Sequence, residues 1–182
     1  MSTPPSIARP TVDQLWRWLD DVPDPEIPVV SVVDLGIVRD VAWSESDPDE
    51  CIVAVTPTYS GCPATAVIGD MIREALHGHG VRRVRVQLRL APAWTTDWMT
   101  SRARASLLEY GIAPPVGQAS RQPGDVLKNL CSPGSHLSDV VIACPRCGSN
   151  HTQLVSQFGS TPCKSLYRCL ACQEPFDYFK CH

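Results

Sequence analysis

The sequence predicts an α+β fold: a small mixed three-stranded sheet with helices, followed by a C-terminal β module organised by four cysteines. Three observations predict it. Hydrophobic periodicity changes in the order helix, strand, strand, helix, strand, helix over the first 111 residues. Two neighbouring strands joined by a polar turn, then a helix crossover to a third, make a mixed sheet. Behind a stretch rich in Pro, Gly and Ser, the last 42 residues carry six of the nine cysteines.

The elements follow in order. "TVDQLWRWLDDV" reads as the first helix, with Thr11 as N-cap and Gln14 completing a capping box. Val12, Leu15, Trp16, Leu19 and Val22 recur at helical spacing and form its buried face. "PDPEIP" then ends it with three prolines in six residues. "LGIVRDVAW" and "ECIVAVTP" are strand-like, and the polar "SESDPD" between them predicts a hairpin. Pro63 starts a second helix whose apolar stripe is Ala64, Val67, Ile68, Met71, Ile72, Ala75 and Leu76, with Gly78 as its stop. From Val84, the run "VRVQLRL" alternates: Val84, Val86, Leu88 and Leu90 face the core, while Arg85, Gln87 and Arg89 face out. "TTDWMTSRARASLLEYG" is the last helix and ends at Gly111. The division is residues 1–112 as one domain, 113–140 as a linker and 141–182 as the C-terminal module.

Composition narrows the classes. A hydrophobic content of 43% supports an ordinary core, and a net charge of −3 gives no global attraction to nucleic acid or an acidic membrane. Residues 1–50 hold eleven acids against three arginines, a net −8 that reads first as a solvated face. The start "MSTPPSIARP" lacks an apolar leader, and no run approaches the ~20 apolar residues of a membrane span. The expectation is a soluble, cytoplasmic protein without a membrane partner. Nine cysteines in that compartment argue for metal or reactive thiols rather than disulfides.

"CPRCGS" and "CLAC" place Cys144 and Cys147, then Cys169 and Cys172, as two CxxC knuckles with 21 residues between them. A two-residue gap lets both thiolates of one knuckle converge on one ion, and two knuckles complete a tetrahedral S4 site. The stretches "TQLVSQFG" and "SLYRC" supply the strands of a hairpin between them. Four thiolates suit zinc and also an iron–sulfur cluster; two knuckles around a hairpin favour zinc, in a ribbon. So small a module lacks a sufficient core, so the metal supplies its folding energy. Cys163 and Cys181 remain as candidate extra ligands, a second site, a redox pair or structural spares. His151 and His182 read as solvent-exposed imidazoles. Cys51, inside a strand, and Cys131, in the linker, look structural.

Cys62, in "YSGCPATAV", stands directly before the proline that opens the second helix. As N-cap it would face free N–H groups and the helix dipole, which stabilise a thiolate. Gly61 leaves its approach open. The residues alone do not separate a ligand or nucleophile from a capping cysteine without chemistry. His77 and His79 lie at the far end of the same helix, on the order of 20 Å away, so no Cys–His dyad is expected. There is no phosphate loop, dinucleotide fingerprint or di-iron motif.

"DPEIPVVSVVDLGIVRDV" and "TPTYSGCPA", with the helix that follows, resemble the SufT-like metal–sulfur cluster biosynthesis domain over roughly residues 10 to 112. "CPRCGS…FGSTPCKSLYRCLACQEPFDYFKCH" resembles the zinc ribbon of the PaaD (PaaJ) family of phenylacetate degradation. The resemblance implies an accessory, non-catalytic maturation factor for the oxygenase that epoxidises phenylacetyl-CoA. Its implied partners are the oxygenase and reductase subunits of that system. The implied cofactors are zinc in the ribbon and a transient iron–sulfur cluster. It carries the family's motif cysteine onto Cys62 and its motif acids onto Asp24, Glu26 and Asp34, of which Asp34 is expected nearest Cys62. Asp24 and Glu26 could equally cap a proline turn.

Two other readings stand beside it: a stable interaction subunit of the oxygenase with a purely structural Cys62, and a zinc-ribbon nucleic-acid binder. The ribbon's four basic residues against two acids, a net +2, make a weak phosphate footprint, so no nucleic-acid partner is expected. A thiol-dependent enzyme ranks last, because no base partners Cys62. Whether Cys62 works alone or with the Cys62 of a second copy, as in a homodimer, stays open.

Overall fold

The computed structural model describes residues 9–59, 61–116 and 141–180. Helix α1 (Val12–Asp20) starts on the expected capping box: Thr11 Oγ1 accepts the Gln14 N–H, and Gln14 Oε1 accepts the Thr11 N–H. Leu15, Leu19 and Val22 are buried, but Val12 is exposed because it lies in the first turn, before the helix reaches the sheet. The hairpin forms as β1 (Val38–Trp43) and β2 (Glu50–Val55), antiparallel. Helix α2 (Ala64–Gly78) crosses over to β3 (Arg83–Leu88), which runs parallel to β2. The sheet is mixed, in the order β1-β2-β3.

Because β2 is central, Cys51, Val53 and Val55 sit beneath α2, whose Ile68, Ile72 and Leu76 are fully packed. Burial pushes the Cys51 thiol up to about 11, so it stays a neutral core group. Two expected inward faces are only partly used. Val67 is about half exposed at the edge of α2, and Leu88 and Leu90 are exposed because β3 ends at Leu88 on the sheet edge. The left-handed residue after α2 is Gly80 rather than Gly78.

The last predicted helix is two pieces, a 3-10 turn (Thr96–Trp98) and α3 (Ser101–Tyr110). Thr100 breaks them apart. It is extended, caps α3 through Oγ1 to the Ala103 N–H, and donates its own N–H to the Asp34 carbonyl. Gly111, at φ +96, closes α3 as expected. Gly36 is required on two counts: its φ is +68, and a Cβ there would lie 2.7 Å from the Trp98 Cβ and carbonyl oxygen.

The C-terminal module is a second three-stranded sheet, β4 (Thr152–Ser156), β5 (Lys164–Cys169) and β6 (Pro175–Phe179), all antiparallel. The third strand adds to the hairpin expected from the sequence. Its signal is weak because Cys172 and Pro175 punctuate its start and only Phe176 and Tyr178 alternate inward. The module's small core is Ala113, Ile142, Cys144, Cys169, Phe176 and Tyr178. The module is docked on the first sheet's core. Ala113, just past α3, exchanges hydrogen bonds with β6: its N–H goes to the Asp177 carbonyl and its carbonyl accepts from the Phe179 N–H. The Phe179 ring then enters the main core, 1% exposed and 6.0 Å from the Trp94 ring. Burying that ring contributes roughly 2–3 kcal/mol. Most of the expected linker, with Cys131, Cys181 and His182, lies outside the described residues.

Candidate functional site

Cys62 lies one residue before the cap position of α2. Pro63 takes that position with φ −66 and ψ −24, and no side chain caps the helix. It is the Cys62 carbonyl, not its sulfur, that meets the helix start, accepting from the Thr65 N–H at 3.2 Å and Thr65 Oγ1 at 2.9 Å. Its N–H is held by the Tyr59 carbonyl at 3.0 Å. Main-chain bonds therefore place the residue and leave its thiol unused. A Cβ at Gly61 would sit 3.0 Å from the Tyr59 ring, so the glycine lets that ring close over the turn.

The thiol lines a cavity of about 50 Å³. Three segments wall it: the proline-rich turn with Asp24 and Glu26, the loop from Pro57 into α2, and residues 161–163 of the C-terminal module, with Phe179 beneath. Asp24 is buried, and its Oδ1 accepts the N–H groups of Glu26 and Ile27, each at 2.9 Å. Desolvation nonetheless pushes its carboxyl up, against those two bonds. Asp24 thus ties the turn and also presents a carboxylate to the cavity.

A raised native pKa means that the folded state holds the proton more tightly than the unfolded chain. Asp24 therefore lowers stability as pH rises from the ordinary carboxylate range through its own value, and the penalty persists above that. An Asp24→Asn protein keeps the Oδ1 acceptor and loses the buried charge. Its thermal midpoint is expected to be higher than that of the native protein at pH 7, with the difference vanishing in acid where Asp24 is protonated. A lower midpoint at pH 7 would show instead that Lys164, whose charge favours the Asp24 carboxylate, holds it firmly.

Asp34, expected nearest Cys62, is not at this cavity. Its carboxylate accepts from Thr100 Oγ1 at 2.5 Å and from Arg102 Nε at 3.0 and 2.8 Å, and Arg102 also binds Asp20. The cluster clamps α1, the turn before β1 and α3 together. Thr100 and Arg102 come from 66 and 68 residues away, so no local pattern pointed to them.

Cys163, expected among the ribbon's candidate ligands, stands in the Cys62 cavity instead. The reason is topological: the turn before β5 is at the end of its hairpin away from the knuckles, and it faces the first domain. Burial pushes the Cys163 thiol up. The Thr161 hydroxyl, 3.1 Å from the sulfur, and the Lys164 charge oppose this, while the charge of Cys62 adds to it. Lys164 is itself buried and paired with Asp177 at 3.6 Å.

The four remaining expected ligands do converge. The sulfurs of Cys144, Cys147, Cys169 and Cys172 all lie within 4.8 Å of one another, with Cys144–Cys172 at 3.8 Å and Cys147–Cys169 at 3.6 Å. A tetrahedron with Zn–S bonds of about 2.3 Å has edges of about 3.8 Å, so the donor set fits a zinc ion. The Cys172 N–H at its sulfur brings the Cys169 thiol down to about 6. Cys172, despite the Glu174 N–H at its sulfur, is pushed up to about 12 by burial and the sulfurs crowding it. Four thiolates so close repel one another, and a divalent cation removes that repulsion. His151 is exposed, with its carbonyl holding the Leu170 N–H. His77 and His79 stay at the far end of α2, on the Val81 carbonyl and the Trp18 ring respectively. Among the described residues no helix is long and apolar enough to cross a membrane.

Comparisons with known proteins match the chain in two separate stretches. Residues 12–88 match the family described as iron-sulfur cluster assembly protein, and residues 131–180 match the PaaD zinc beta ribbon domain. The chain is 50% identical over 176 residues to an Escherichia coli K12 protein provisionally named as a subunit of 1,2-phenylacetyl-CoA epoxidase, covering 97% of this chain and 96% of that one. It is 35% identical to an Fe-S protein maturation auxiliary factor of Porphyromonas gingivalis, over 56% of this chain and 92% of that protein. The crystal structure of a domain of unknown function from Bacillus anthracis is similar with a TM-score of 0.48, at 29% identity, covering 52% of this chain and 89% of that one.

Proposed function

The chain belongs to the PaaD family, an iron–sulfur cluster assembly domain followed by a zinc β ribbon, and on that premise we propose that it is an accessory maturation factor. It helps insert iron or an iron–sulfur cluster into the multicomponent oxygenase that epoxidises phenylacetyl-CoA, and it does not catalyse the epoxidation. The observation that carries this reading is the placement of Cys62: a free thiol held by main-chain bonds at a cavity whose described lining residues include no histidine or lysine to act as its base. A nucleophile of an enzyme would need that base; a carrier ligand needs only access and a thiolate. Ferrous iron or a cluster is the cargo, and zinc is the resident ion of the ribbon, where Cys144, Cys147, Cys169 and Cys172 hold it. The ion supplies folding energy and no chemistry. The ribbon docks the client, and the partners are the oxygenase and reductase subunits.

The test uses oxygenase and reductase subunits purified from cells lacking this chain. Their iron and sulfide content and epoxidase rate are expected to be low and to recover after chemical reconstitution, without the chain in the assay. If the reconstituted subunits still need the chain for turnover, a stably bound interaction subunit replaces the maturation reading. The close mesh of the two modules around Cys62 suits either kind of client contact, but only the maturation reading gives the free thiol a use.

A further inference from the structure

Two free thiols outside the four-cysteine group share one cavity, and they come from different modules. Cys62 arrives on the loop into α2, and Cys163 on the turn before β5. The Cys163 turn is well held: the Lys164 N–H bonds the Thr161 carbonyl at 3.0 Å, and the Lys180 N–H bonds the Cys163 carbonyl at 3.0 Å. Phe179, one residue before Lys180, is anchored in the main core. The docking of β6 therefore sets where the Cys163 sulfur points. Cys62 is near enough for its charge to disfavour that of Cys163. A cation between them would reverse that. Asp24 offers an oxygen donor at the same cavity.

We propose that Cys62 and Cys163 form a split dithiolate site that takes a single thiophilic divalent ion of the iron(II) class, assembled only when the C-terminal module is docked. This rests on the reading of Cys62 as a cargo ligand and adds its missing second ligand. Two sulfurs select a thiophilic ion over magnesium or calcium. The cavity of about 50 Å³ has room for about four water-sized groups, which suits one ion with its remaining ligands rather than a four-iron cubane. Binding converts two thiols to thiolates and releases two protons to solvent, with no change of oxidation state. The ribbon then acts on the cargo directly, as half of the site, besides contacting the client.

The test is anaerobic titration of the full chain, its ribbon kept zinc-loaded, with cobalt(II) as the probe ion. The native protein is expected to bind one cobalt beyond the ribbon, with a sulfur-to-cobalt absorption band. Cys163→Ser and Cys62→Ser should each weaken that binding by at least about tenfold and roughly halve the band per bound ion. If Cys163→Ser binds like the native protein while Cys62→Ser does not, the split site is overturned and the Cys62 reading survives. If Cys62→Ser also binds like the native protein, both fail. Two irons with acid-labile sulfide per chain, on loading with iron and sulfide, would overturn the single-ion form. A second measurement needs no variant. A monosubstituted arsenical oxide bridges two close thiols with loss of one water, so peptide mapping of the native protein should find Cys62 and Cys163 on one arsenic. Separate labelling of the two would count against the site.

Discussion

A Cys62→Ser protein is expected to fold normally and to lose its ability to raise the activity of the client oxygenase. The folding half follows from how the residue is held. Its N–H to Tyr59 and its carbonyl to Thr65 are main-chain bonds that serine retains, and the thiol makes no bond that the fold depends on. The change in stability should stay within about 1 kcal/mol, as for a partly exposed position without a structural role. The functional half follows from ligand chemistry. Removing an outer-shell partner of a metal already costs about 10–100-fold in affinity, and removing a sulfur ligand costs at least that. Epoxidase rate in cells whose only copy is the serine form, beside a thermal melt of the purified protein, checks both halves. Normal epoxidase activity with this copy would remove the carrier role and leave Cys62 as a packing residue.

The second large effect is expected in the ribbon. Cys169→Ser, or stripping with a strong chelator, should unfold the C-terminal module while the first sheet survives. Among the described residues the module's core cluster holds six buried residues; one, Ala113, precedes the module, and two, Cys144 and Cys169, belong to the four-cysteine group. Structural zinc contributes roughly 10–16 kcal/mol of apparent binding energy to small modules, more than such a core can replace. Without the ion the four sulfurs also stay crowded. Hydrogen exchange should show the amides of β4, β5 and β6 losing protection, those of β2 and α2 keeping it, and one metal ion per chain leaving in step. Protection retained in β5 without metal would mean that packing, not the ion, holds the module. Because Phe179 of β6 is part of the first domain's core, the remaining domain should also melt earlier, and Cys163 should become freely alkylated.

Much of the fold was legible because its signals are local. The Thr11–Gln14 box, the turn between β1 and β2 and the two CxxC knuckles each span a few residues, and each takes the shape its spacing says. Errors gathered where a longer reach decided. The final helix splits at Thr100 because that residue bonds Asp34, far back in the chain. Leu88 and Leu90 alternate correctly but are exposed at the sheet edge among the described residues. The motif acids divided in the same way. Asp24 lines the Cys62 cavity because its turn is folded by its own neighbours, whereas Asp34 is captured by Arg102.

By itself, then, the sequence determined the α+β class and the order of the first sheet's strands, and it set Cys144, Cys147, Cys169 and Cys172 on two knuckles and Cys62 just ahead of α2. Spacing alone is enough when ligands or apolar residues must share one knuckle or one face. Only the tertiary structure decided what stands opposite Cys62. Cys163 is 101 positions further along the chain, across a segment with no periodicity, and no spacing rule connects them. The docking of β6, through Ala113 and Phe179, brings the two thiols to one cavity, because burying an aromatic ring in the neighbouring core outweighs leaving the ribbon free.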